Sequence, residues 1–164
     1  MKGFIKDIEA LATENAHFRQ VLYTARNCQL VVMSLKPGED IGMEVHNLDQ
    51  FFRVEEGSGE VILNGVHSPI REGFAVLVPA GAKHNIVNTG SVPLKLYTLY
   101  APPNHRDGVV HATRADAQKD DEKYNGNPTE RMIAIKVGDP GGSIPISLHP
   151  RLSLSFSSSS SAGV

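Results

Sequence analysis

Residues 73–88 read GFAVLVPAGAKHNIVN. The apolar run AVLV predicts a strand, and Pro79-Ala80-Gly81 ends it, because proline removes a ladder donor and glycine accepts the positive φ of a tight turn. A second strand then starts at His84 and stops at Asn88. Upstream, residues 38–57 read GEDIGMEVHNLDQFFRVEEG, again short apolar stretches between glycines and acidic turn residues. Between the two blocks Asn64-Gly65 separates EVIL from VHSPI. A two-residue type I′ turn needs positive φ at both central positions, so this dipeptide predicts a tight hairpin.

Working outward, strands are expected over residues 28–35, 43–46, 50–55, 60–63, 66–70, 74–78, 84–87 and 94–100. Many short strands at regular spacing indicate an all-β sandwich or barrel. Within it Phe52, Val54, Ile86 and Leu99 read as core. Ile5, Ile8, Leu11 and Ala12 recur at spacings of three and four, predicting a short amphipathic helix within residues 4–15. Thr113 followed by Asp116 has the form of a capping box, predicting a polar helix through about residue 123. The organisation expected is residues 1–27 as N-terminal helix and lead-in, 28–103 as barrel, 104–130 as a flank with a short helix, and 131–164 as a low-complexity, disordered tail. Six of the last ten residues are serine, the basis for that last expectation.

The 164 residues carry 16 Lys+Arg against 18 Asp+Glu, a formal charge of −2. That near-balance gives no global attraction to nucleic acid or to an anionic membrane. It is also a sum of unlike parts: residues 1–130 hold 13 basic and 17 acidic side chains, and residues 131–164 hold three and one. A single cysteine, Cys28, excludes an intramolecular disulfide and a thiolate-built zinc site. With no signal-peptide core and no membrane-length apolar run, the expected location is the cytoplasm.

Four side chains with metal-binding donors stand out: Glu44, His46, Gln50 and His84. Glu44 and His46 are two apart and share a strand face. Gln50 follows after a short turn, and His84 comes from a distant strand. Taken alone, the Glu-x-His pair also fits a strand edge that holds no metal. Two imidazoles, one carboxylate and one amide oxygen suit Zn, Mn, Fe or Ni as divalent ions. His105 and His111 lie after the barrel strands, and an acid/base role at a pocket rim competes there with an ordinary surface position.

The chain resembles the cupin family on these residues. Its second motif (Gly, five residues, Pro-x-Gly, two residues, His, three residues, Asn) is matched by Gly73, Pro79, Gly81, His84 and Asn88. Its first motif aligns with Gly38, Glu44, His46, Gln50 and Gly57, with glutamate at the first histidine position and glutamine at the glutamate position. The resemblance implies a double-stranded β-helix, jelly-roll-like barrel with Glu44, His46, Gln50 and His84 as metal ligands lining an internal pocket. Gln50 has a second reading, as a group that only hydrogen-bonds a ligand.

Phe52 and Tyr97 are pocket candidates. Phe52 shares the face of Gln50 by period two, whereas Tyr97 and Tyr100 have opposite parity, so only one of them points inward. The function implied is a metal-dependent enzyme isomerising or tautomerising a small polar substrate such as a sugar, uronate or keto acid. The alternatives are an Fe(II)-dependent dioxygenase and a non-catalytic ligand-binding protein. A small-molecule substrate and a homodimer are the partners expected, with neither nucleic acid nor membrane.

Overall fold

The computed structural model describes residues 1–131. The low-complexity tail predicted for residues 131–164 therefore lies, but for Arg131, outside the described residues. In chain order the elements are α1 (Ile8–Glu14), β1 (Arg19–Thr24), β2 (Gln29–Leu35), β3 (Glu44–Val45), β4 (Asp49–Glu56), β5 (Ser58–Leu63), β6 (Val66–Arg71), β7 (Ala75–Val78), β8 (Lys83–Val87), β9 (Leu94–Ala101), β10 (Val110–His111) and α2 (Arg114–Lys119). They form a six-stranded sheet in the order β10-β1-β2-β9-β4-β7 and a four-stranded sheet in the order β3-β8-β5-β6. Neighbouring strands pair antiparallel throughout.

Alternation sets what each sheet turns inward. On β4, Gln50, Phe52 and Val54 are buried, and on β9 so are Leu94, Leu96, Thr98 and Tyr100. With Val31, Met33 and Leu35 of β2 and Val61 and Ile86 of the smaller sheet they form one core between the two sheets. Leu99, read as core from the sequence, faces the other way and is only half-buried, because it is the odd-numbered neighbour of two inward residues.

The hairpin expected at Asn64-Gly65 forms, joining β5 to β6 with φ of 48° and 82° at the two residues. Helix α1 is shorter than residues 4–15. Asp7 caps it, its Oδ1 accepting from the Ala10 amide at 3.1 Å, which leaves Ile5 outside the helix and exposed. The Thr113–Asp116 capping box is present, and α2 stops at Lys119, before the expected residue 123. Two strands were not foreseen. β1 arises from the region expected to be lead-in and pairs with β2, and the two-residue β10 closes on β1 from the C-terminal flank.

Candidate metal centre

Strand pairing brings the donors together. β3 and β8 are antiparallel with Glu44 opposite His84, so residues 40 apart in sequence become cross-strand neighbours. His46 follows β3 directly, and its carbonyl accepts from the Gly81 amide at 2.7 Å. The Pro79-Ala80-Gly81 turn thus holds His46 as well as delivering His84. Asp49 ties the same turn from the other side, its Oδ1 accepting from the Ala80 amide at 2.9 Å. Gln50, on β4, points inward from the larger sheet.

Donor atoms of Glu44, His46 and His84 all lie within 4.8 Å of one another. His46 Nε2 stands 3.0 Å from Glu44 Oε2, and His84 Nε2 stands 3.9 Å from the same oxygen. The fourth donor, Gln50 Oε1, is 3.1 Å from His84 Nε2. Adjacent ligands bonded to one ion at about 2.1 Å stand about 3 Å apart in an octahedral arrangement, so these separations fit a shared first-row divalent cation.

His84 is the most informative of the four. Its side chain is 1% exposed, and its Nδ1 lies 3.1 Å from the Ala82 carbonyl oxygen, which only an N–H can satisfy. Nε2 therefore presents a lone pair toward the Gln50 amide oxygen, whose own nitrogen donates to Thr98 Oγ1 at 3.1 Å. With Nδ1 protonated, two acceptors face each other at 3.1 Å, a pair that a shared cation would satisfy. A proton is disfavoured there, since burial pushes the His84 imidazole below its ordinary pKa more than the Ala82 carbonyl and Glu44 raise it. Burial pushes the Glu44 carboxyl up, but the His46 hydrogen bond and the nearby positive charge, Arg19 included, outweigh it and lower its pKa.

The site has a wet side and a dry side. Glu44 and His46 side chains are 24% and 18% exposed and form the mouth, whereas Gln50 and His84 make the floor. Phe52 walls that floor, its ring centroid 6.1 Å from that of His84. Tyr97 does not line the pocket; it lies on the outer face beside Phe51, with ring centroids 6.1 Å apart. Tyr100 takes the inward position instead, 1% exposed, opposite Gln50 in the β4–β9 register and edge-on to His46 at 6.0 Å. Burial raises the Tyr100 hydroxyl pKa well above its ordinary value, so it keeps its proton.

Three features of the site were not foreseen. Arg19 on β1 places Nη2 3.8 Å from Glu44 Oε1 with its side chain only 9% exposed. His105, one of two histidines for which a surface position was open, is buried edge-on against Tyr100 at 5.0 Å, its Nδ1 2.6 Å from Glu122 Oε1. His111 is buried too, with Nε2 3.2 Å from Asp120 Oδ2. RQVLYT shows no clean polar/apolar alternation, and a strand whose inward residues include an arginine reads as solvent-facing. A separate surface cavity of about 550 Å³, lined by Met1, Tyr23, Tyr124 and Arg131 among others, includes none of the metal-site donors.

The chain is 46% identical over 123 residues to an uncharacterised Bacillus subtilis protein, YrkC, covering 71% of this chain and 66% of that one. The chain thus spans just under two thirds of that relative's length. A crystal structure of BH2720 from Bacillus halodurans is 44% identical and superposes with a TM-score of 0.71, covering 73% of this chain and 96% of the other. More distantly, 97 residues are 27% identical to a mannose-1-phosphate guanylyltransferase of Escherichia coli, covering 53% of this chain and 21% of that enzyme. Residues 31–100 match the cupin domain model, Cupin_2, the segment that contributes Glu44, His46, Gln50 and His84 to one point between the two sheets, and the chain belongs to the cupin family.

Proposed function

We propose that Glu44, His46, His84 and Gln50 hold a divalent metal ion, Zn, Mn, Fe or Ni, in an enzyme that isomerises or tautomerises a small polar oxygenated molecule such as a sugar, uronate or keto acid. The observation that carries the reading is the buried His84, fixed as a donor at Nδ1 and facing the amide oxygen of Gln50 at 3.1 Å with Nε2. An ion held by these four residues would supply Lewis acidity toward a carbonyl or hydroxyl of the substrate. Glu44 carries the charge of the site at its open side. Gln50 adds an oxygen donor without a second negative charge, leaving the ion electrophilic. Phe52 and Tyr100 exclude water from the floor, and Tyr100 acts there as a neutral group, not a base. A sugar-like substrate is also supported by the relative named for mannose 1-phosphate.

Elemental analysis of the purified full chain tests the site. Stoichiometric metal in the wild type, lost in Glu44→Ala and His84→Ala, is the expected result; equal metal content in all three refutes it. Two histidines and one carboxylate also meet the donor requirement of an Fe(II) dioxygenase. Oxygen uptake by anaerobically Fe(II)-loaded protein with a sugar and keto-acid panel favours that reading, and solvent-deuterium incorporation without oxygen uptake favours isomerisation. Metal uptake with no turnover favours a ligand-binding protein.

Among the described residues no helix is long and apolar enough to cross a membrane. A cytoplasmic homodimer acting on a small molecule, without nucleic acid or membrane as partner, completes the proposal. The sheet edges at β3, β6, β7 and β10, unpaired among the described residues, are the surfaces such a dimer would use.

A further inference from the structure

Arg19 is not a metal donor, yet its guanidinium lies beside Glu44. Its side chain is nine-tenths buried, and its Nε has no hydrogen-bond partner among the described residues. The nearest carboxylate in the site, Glu44, is 3.8 Å away, beyond hydrogen-bond reach, and turns its other oxygen to His46 and His84. Glu122, the other interior carboxylate, is committed to His105 and to the Arg106 amide, at 2.6 and 2.7 Å. Once Glu44 serves a metal ion, the guanidinium is a buried cation with no anion of its own among the described residues, an unfavourable arrangement unless a partner arrives.

We infer that Arg19 binds the carboxylate of the substrate, and that the substrate class is narrowed to small carboxylic acids with an oxygen on the adjacent carbon. This rests on the metal reading above. Arg19 Nη2 stands 3.8 Å from one Glu44 oxygen while the other faces His46 and His84, so the guanidinium adjoins the donor set, and one short ligand would reach both, its carboxylate on the fork of Arg19 and its α-oxygen on the ion. Planar, bidentate recognition of carboxylate is what guanidinium geometry favours.

Calorimetric titration of the zinc-loaded full chain with glycolate, and with its neutral analogue glycolamide, tests the inference. The wild type should prefer glycolate. Arg19→Gln should retain its zinc, bind glycolate about 100-fold more weakly and leave glycolamide unchanged; Arg19→Lys, which keeps charge but loses the fork, should fall between. Unchanged glycolate affinity in Arg19→Gln, equal wild-type affinity for both probes, or binding of neither overturns the inference. If Arg19→Gln does not fold, Arg19→Lys decides, and glycolate affinity equal to wild type then overturns it. A wild type that takes up none of Zn, Mn, Fe or Ni refutes the metal reading and this inference with it, whereas a metal-loaded wild type with no preference for glycolate overturns the inference alone.

Discussion

Asn88 ends the motif that decides the fold, and replacing it with alanine should cost about 3–5 kcal/mol. The side chain is 1% exposed and makes three hydrogen bonds: Nδ2 donates to the carbonyls of Leu35 at 2.8 Å and Val92 at 2.9 Å, and Oδ1 accepts from the Gly90 amide at 2.9 Å. It thereby fastens the end of β2 to the turn between β8 and β9. Asn88→Ala leaves the buried Leu35 carbonyl unpaired, worth about 1–3 kcal/mol, and removes two partly buried bonds at about 1 kcal/mol each. Total stability of a domain is about 5–15 kcal/mol, so the loss is a large share. In urea, with m about 1.5–2 kcal/mol/M, the midpoint should fall by about 2 M at unchanged m. Asn88→Asp should do no better, since it keeps an acceptor for Gly90 but turns a carboxylate toward two carbonyl oxygens. A midpoint shift below about 0.5 M for Asn88→Ala would refute the view that this side chain is a structural tie.

Gly59→Ala should cost about 2–3 kcal/mol by thermal or urea unfolding, because a Cβ there runs into the Val87 carbonyl oxygen and meets Leu94 Cδ2 at 3.0 Å; a neutral substitution would show that β5 and β8 can separate at that point. Acid should unfold the protein through the His105–Glu122 pair. Burial holds the His105 imidazole below its ordinary pKa, so its contribution is complete above that ordinary value and declines as the pH falls through the folded one. Burial raises Glu122, but the bonds from His105 and the Arg106 amide outweigh it and lower its pKa, so its contribution too is present above the ordinary carboxylate value and lost in acid. Glu122→Gln should therefore flatten the decline of stability below about pH 5, and parallel profiles for variant and wild type would contradict this assignment.

Local chemistry was legible wherever the backbone itself demanded a residue type. Asn64-Gly65 named its turn, Thr113 and Asp116 named their helix start, and residues 73–88 named two strands and the turn between them. What stayed hidden depended on pairing partners. Tyr97 and Tyr100 have opposite parity, which is visible in the sequence, but the inward one is set by register: Tyr100 lies opposite both Gln29 and Gln50, residues whose side chains turn inward. β1 was missed for a related reason. Its inward residues are Arg19, Val21 and Thr24, only one of them apolar, and a buried arginine becomes intelligible only when a carboxylate from another strand is seen beside it. His105 and His111 looked like surface residues because the acids facing them, Glu122 and Asp120, lie 17 and 9 residues further on.

The exchange of carboxylate and neutral donor relative to the family motif follows the burial gradient of the site. The motif's glutamate position is Gln50, at the floor, 1% exposed and packed between Thr98 and His84. A carboxylate there would be desolvated on every side whenever the ion is absent, a cost of several kcal/mol or a carboxyl driven to its neutral form. An amide escapes that cost because it carries no charge and its nitrogen already has Thr98. At the first motif position the environment is the opposite. Glu44 is a quarter exposed and has Arg19 and His46 beside it, so a charge is tolerated with or without metal. Moving the negative charge from floor to mouth therefore keeps a single carboxylate in the donor set while allowing the metal-free chain to fold without a buried, unpaired anion. It also places that charge within reach of Arg19, which holds the mouth nearly neutral until an ion engages Glu44 and leaves the guanidinium to an incoming anion.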